Sequence, residues 1–227
     1  MQIGAPRGIH MRYRFTSYHP AGDAEAAVTD GTRLGGLPHW LEEPQWPVDP
    51  YEDDLAPFMG QFRVPAADGD RMVYLFAIGF SGEHATVVQP GGQVTESFET
   101  RASATGPTEL GQVHLLRVEE EIDFSHVEQN LEPVEDEDPD DREERLEEVL
   151  SERRKDAAGS IRMNQLGGPD VVPVWLQGDD LPGDGWQLVA QFDSYQLPFE
   201  VNFGDSGVGY LFLSPDHKTA EFFYQSC

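Results

Sequence analysis

The same series of short motifs occurs twice in this chain, in the same order. Leu34-Gly35-Gly36, Pro38-His39-Trp40-Leu41, Gly60-Gln61-Phe62 and Tyr74-Leu75-Phe76 have counterparts in Leu166-Gly167-Gly168, Pro173-Val174-Trp175-Leu176, Ala190-Gln191-Phe192 and Tyr210-Leu211-Phe212. The offset stays at about 130 residues, and four matched blocks in one order point to an internal duplication. A duplication predicts a pseudo-symmetric fold and names no reaction. Each unit has about 60 residues, which bury a core only marginally by themselves. The two halves are therefore expected to pack on each other as one globule.

Most of the chain reads as strand. Residues 58–64, 72–80, 85–89, 113–118, 171–176, 187–193, 208–214 and 221–225 are short runs rich in β-branched and aromatic side chains, bounded by Gly, Pro and Asp. An opening strand is expected at 11–17. Residues 38–50 hold Trp40, Trp46 and four prolines. Prolines deny ladder donors, so this is an ordered loop or edge segment whose tryptophans plug the side of the core. The organisation expected is an N-terminal extension and opening strand (1–31), a first repeat unit (32–118), an insertion (119–159) and a second unit (160–227).

The insertion carries the charge. Residues 119–156 hold 18 acidic and 5 basic side chains, a net of -13, which leaves -14 of the chain's -27 elsewhere. Asp138-Pro139 supplies an acidic N-cap with proline at the first helical position. Glutamates come early and Arg153, Arg154 and Lys155 late, which complements a helix dipole. Leu146, Val149 and Leu150 give one narrow apolar stripe, and Gly159 stops it. The fold class expected is thus α+β: strand-rich, with two pseudo-symmetric β-rich repeats and an acidic helical insertion. That helix reads either as a solvated element laid on the sheet or as a docking element for a basic partner.

Composition excludes some functions. A formal charge of -27 and a pI near 4.3 repel nucleic acid and anionic membrane surfaces. No stretch reaches the roughly 18 apolar residues that span a bilayer, and residues 1–22 show no signal-peptide run. One cysteine, Cys227, rules out a disulfide framework within the chain and makes the cytoplasm the expected location.

Catalytic signatures are weak. Gly204-Asp205-Ser206-Gly207 matches the nucleophile segment of chymotrypsin-like proteases, but that chemistry needs a histidine base and an orienting aspartate. Neither His39 nor His84 has the required sequence context, and Gly69-Asp70 occupies the matching turn of the first unit. A turn that launches a strand explains both. The seven histidines show no zinc spacing, residues 135–141 lack the EF-hand glycine, and the Gly-Gly pairs lack phosphate-loop patterns. No metal and no cofactor are expected. The recurring Gln61 and Gln191 lie opposite their phenylalanine neighbours by strand period. They read either as buried groups that satisfy backbone or as ligand contacts in a pseudo-symmetric cleft, and Trp40 and Trp175 pair in the same way. With Trp46 and Asp205 these form the candidate binding set.

At these residues the chain resembles the YwqG-like family of bacterial proteins, a domain of unknown function. The carrying segments are Leu34 through Pro47 (Leu-Gly-Gly-Leu-Pro-His-Trp-Leu-Glu-Glu-Pro-Gln-Trp-Pro), Phe58-Met59-Gly60-Gln61-Phe62, Gly204 through Phe212, and the closing Phe222-Phe223-Tyr224-Gln225-Ser226-Cys227. The resemblance covers roughly residues 30–227 and implies a duplicated α+β fold without established catalytic residues. It further implies an immunity-type role, since some members are thought to neighbour toxin genes. The expected function is a protein-interaction module that binds a basic protein partner. The alternative is a small-ligand binder or enzyme using the groove between the repeats.

Overall fold

The computed structural model describes residues 10–18, 31–78, 83–95, 98–109, 112–123, 164–168, 171, 173, 176, 182–197 and 199–226. Ten strands form one antiparallel sheet: β1 (His10–Tyr18), β2 (Arg33–Leu34), β5 (Phe58–Val64), β6 (Arg71–Ile78), β7 (Glu83–Gln89), β9 (His114–Asp123), β10 (Gln165–Leu166), β11 (Gln187–Asp193), β12 (Val208–Leu213) and β13 (Ala220–Gln225). Their spatial order is β13-β12-β11-β10-β1-β9-β2-β5-β6-β7. A small second sheet holds β3 (Trp46–Asp49) between β4 (Asp54–Leu55) and β8 (Thr100–Arg101).

The duplicated motifs occupy matching places in this order. Arg33, Gln61, Tyr74 and Val87 stand in one cross-strand row of the first half. Gln165, Gln191, Tyr210 and Phe223 form the corresponding row of the second. Register slips by one residue between Phe58 and Gly60 and again between Leu188 and Ala190, placing Met59 and Val189 in matching β-bulges. The bulged carbonyls then accept from the two Gly-Gly turns: Gly35 N donates to Met59 O and Gly167 N to Val189 O, each at 2.8 Å. The first turn needs glycine, because Gly35 and Gly36 have φ of 66° and 69°.

The halves exchange their opening strands. β1 precedes the first set of motifs but pairs with β10 of the second, and β9 precedes the second but pairs with β2 of the first. β1 and β9 pair with each other along their whole length, from His10 opposite Asp123 to Tyr18 opposite Leu115. β9 therefore runs past residue 118 into the segment read from sequence as insertion.

Side chains alternate between two surfaces, as the strand period requires. One surface faces inward, and both halves fill it: Phe15, Leu34, Met59, Phe62, Val73, Leu75, Val189, Phe192, Phe203 and Leu211 pack as one cluster. Phe62 and Phe192, which are matched residues of the two repeats, meet edge-to-face at 5.4 Å. The outer surface of the first half buries Phe58, Met72, Tyr74, Phe76 and Ile78 under Trp46 and Trp40. That of the second half buries Leu188, Val208, Tyr210 and Phe212 against Val171, Leu176 and Trp186.

The ends of the sheet then approach each other. Thr86 Oγ1 on β7 donates to Ala220 O on β13 at 2.6 Å, and Gln93 N donates to Lys218 O at 2.8 Å. The sheet is a nearly closed antiparallel barrel with a packed interior.

The α+β expectation is corrected. No helix occurs among the described residues, and the fold they form is an antiparallel barrel-like sheet. The helical component rested on one pattern, residues 138–158, and that pattern lies outside the described residues. The other segments were short runs rich in β-branched and aromatic residues between turn signals, which build sheet. The strand expected at 171–176 also needs correction: Val171, Pro173 and Leu176 are not in strand, and Val171 and Leu176 cover the outer surface of β11 and β12 instead. The segment 38–50 divides as its prolines suggest, with 38–45 outside regular structure and 46–49 in the small sheet.

Candidate functional site

Three buried side chains hold the segment 38–45 against the first half. Gln61 is fully buried; its Oε1 accepts from His39 N at 2.8 Å and its Nε2 donates to Gly31 O at 3.0 Å. The Tyr74 hydroxyl donates to His39 O at 2.7 Å and accepts from Leu41 N at 3.1 Å. Gln89 Oε1 accepts from Leu41 N and Glu42 N, and its Nε2 donates to Glu43 O. A segment that cannot form a ladder has its backbone groups satisfied by side chains, and this fixes it in place. Burial pushes the Tyr74 hydroxyl far above the ordinary phenol range, with the Leu41 amide and Arg33 pulling weakly back. Burial likewise lowers the Arg33 guanidinium. Tyr74 is therefore a neutral hydrogen-bonding group at physiological pH, and its proton serves a carbonyl.

Trp40 lies on this platform, 4.6 Å from Tyr74, 6.0 Å from Trp46 and 6.1 Å from Phe76. Trp46 is wholly buried, and its indole N–H donates to Ala56 O at 2.7 Å. Gln191, also fully buried, accepts from Gln165 Nε2 at 3.1 Å. Asp205 is exposed in a turn in which Gly204 and Ser206 have φ of 79° and 52°. A Cβ on Gly207 would collide with Phe203 O. Trp175 lies outside the described residues.

The structure thus sets Trp40 against Trp46, and Gln61 holds the backbone of the loop that carries Trp40. The structure sets Gln191 on the other half and Asp205 at a separate turn. The paired glutamines lie on the outer faces of the sheet, fully buried and hydrogen-bonded beneath covering segments. Sequence reasoning missed Tyr74 and Gln89 as partners of Gln61. The duplication held the signal: Gln89 opposes Met72 as Gln225 opposes Val208, so the glutamine recurs at the end of each last strand.

Open space lies elsewhere. A cavity of about 260 Å³ separates Phe62, Arg63 and Val64 of the first half from Leu166, Gly167 and Val189 of the second. A larger cleft of about 570 Å³ opens where the barrel closes. It lies between residues of β7 and β13, near the Thr86–Ala220 contact. Glu83, His84, Phe98 and Tyr51 line one side, and Phe222, Phe223 and Tyr224 the other. The Tyr51 hydroxyl donates to Glu83 Oε2 at 3.0 Å. The His84 ring lies 4.3 Å from Phe222 and 5.7 Å from Phe203 and fills the inner end of the seam. Such a place offers aromatic faces and one carboxylate.

Among the described residues no three His, Cys, Asp or Glu side chains converge as a metal site requires. No helix there is long and apolar enough to cross a membrane. No protein-family model matches the chain, and no curated protein is similar to it.

Proposed function

We propose that this chain is a protein-interaction module that binds a basic protein partner. The observation that carries the reading is the charge: -27 over 227 residues, of which -13 falls within residues 119–156. The described barrel fills much of its interior with side chains from both halves, which favours recognition at the surface. Occlusion of a cationic partner, with charge complementarity raising the association rate, is the mechanism. An immunity-type role against a basic effector, in the cytoplasm, is its most concrete form, and the resemblance to the YwqG-like family is the reason for naming it. A groove reading built on Trp40, Gln61, Trp175 and Gln191 loses support from the side-chain placements, since Gln61 and Gln191 are fully buried.

The test is retention of proteins from native-source lysate on the immobilised chain, eluted by a salt gradient. One stoichiometric basic protein eluting late is the expected result. Neutralising the carboxylates of 119–156 to Asn and Gln should then slow its association at least several-fold and flatten its salt dependence. A partner bound equally well at low and high salt removes electrostatic recognition.

A further inference from the structure

We propose that the cleft at the barrel seam is a binding site for an organic cation, a guanidinium or alkylammonium group. It deepens the acidic-interface reading, on which it rests for the nature of the partner. Three aromatic side chains that line this cleft, Phe98, Phe222 and Tyr224, are only half-buried, and Tyr51 is 65% exposed. Aromatic faces left open beside water attract cations within about 6 Å of the ring centroid. Among the described residues the lining includes the carboxylate of Glu83 and no lysine or arginine. Tyr51 holds that carboxylate through its hydroxyl, so the counter-charge is fixed at the mouth rather than swinging free.

The surroundings bias the cleft further toward cations. Three exposed carboxylates sit in the segments that border it: Glu52 directly follows Tyr51, Glu99 follows Phe98, and Glu221 precedes Phe222. Arg101, which follows Glu99 at the end of β8, pairs with Asp53 at 2.7 Å. A chain of net charge -27 focuses its field in such a recess. The volume, about 570 Å³, accepts a side-chain head or a small amine and excludes a folded element. Both sources present the same chemistry to Glu83 and the rings.

The experiment titrates the intact chain with Nα-acetyl-arginine amide, with its neutral citrulline counterpart, and with a glycine pentapeptide carrying a central arginine, followed by calorimetry and by amide shifts in NMR. The arginine compounds should bind saturably and shift amides around Glu83 and Phe222, and the citrulline compound should not. Glu83→Gln should weaken binding about tenfold, and Tyr51→Leu several-fold, since Tyr51 is exposed and its loss leaves the fold intact. Tighter binding of the pentapeptide than of the amide assigns the site to an arginine of a protein partner; the reverse assigns it to a free amine. Equal binding of citrulline, shifts confined to other surfaces, or wild-type affinity in Glu83→Gln overturns the proposal. A basic partner captured from lysate by a chain that binds no arginine compound removes the cleft alone. Arginine binding without any captured partner removes the interface reading and leaves the cleft.

Discussion

Gln61 shows how one residue governs a segment far from it in sequence. Its amide group joins Gly31 and His39, 30 and 22 positions away, with both contacts in part-buried surroundings. Replacing it by leucine keeps the volume and leaves a donor and an acceptor of the backbone without a partner. Each such orphan costs about 1–3 kcal/mol, so Gln61→Leu should lower the urea midpoint by the equivalent of about 2–6 kcal/mol. A loss below about 0.5 kcal/mol would show that the 38–45 segment is held by other contacts. The placement of this glutamine opposite Phe62 was legible from the strand period. What it bonds to was not, because no periodicity reports which loop will fold over a sheet. Asp193 offers a second residue-scale test. Burial raises its carboxyl above the ordinary value, and the Tyr195 amide and Gln196 side chain pull it only part of the way back. A carboxyl that is raised on folding binds its proton more tightly in the folded state. Its contribution is fully present below the unfolded pKa and lost as pH rises through the folded one. The stability of the wild type relative to Asp193→Asn should therefore fall as pH rises from about 3 to about 6. Paired denaturation curves at stepped pH measure this, and a difference that holds constant or climbs with pH rules out the raised carboxyl.

At the scale of elements, the long strands were readable and their closure was not. β5, β6, β11 and β12 announce themselves as short apolar runs, rich in β-branched and aromatic residues, between turn signals. The two-residue strands β2 and β10 carry too little pattern to stand out, and they exist because the Gly-Gly turns return to the bulged carbonyls of Met59 and Val189. The seam is a matter of curvature accumulated over ten strands, which no local pattern encodes. Thr86 is central to its polar contacts. Its hydroxyl donates to Ala220 O at 2.6 Å and lies 2.8 Å from the Thr95 hydroxyl. Thr86→Val keeps the branched shape and removes both contacts. The expected cost is about 1–3 kcal/mol, since a buried carbonyl loses its donor. The loss should appear locally as faster amide exchange along β13 and β7, while amides of β1 and β9 keep their protection. Uniform loss of protection across all strands would mean that the seam has no local opening of its own.

The whole molecule is bound together by the exchange of β1 and β9. Neither half owns a complete sheet: the first leans on β9, and the second on β1. Their matched phenylalanines, Phe62 and Phe192, share one interior with Phe15 of β1. Duplication was visible in the sequence, and it invites the picture of two units that unfold separately, which chains above about 150 residues often do. The crossed pairing argues for the opposite outcome. Unfolding followed by far-UV and near-UV signals should give a single coincident transition. Phe62→Ala and Phe192→Ala should each move that same transition, at about 3–5 kcal/mol for a core phenylalanine. The double variant should cost less than the sum by about 0.5–1.5 kcal/mol, the worth of an edge-to-face pair that either single change already removes. Two resolved transitions, with each variant displacing only one of them, would mean that the halves are independent and that the β1–β9 pair joins finished domains instead of completing them.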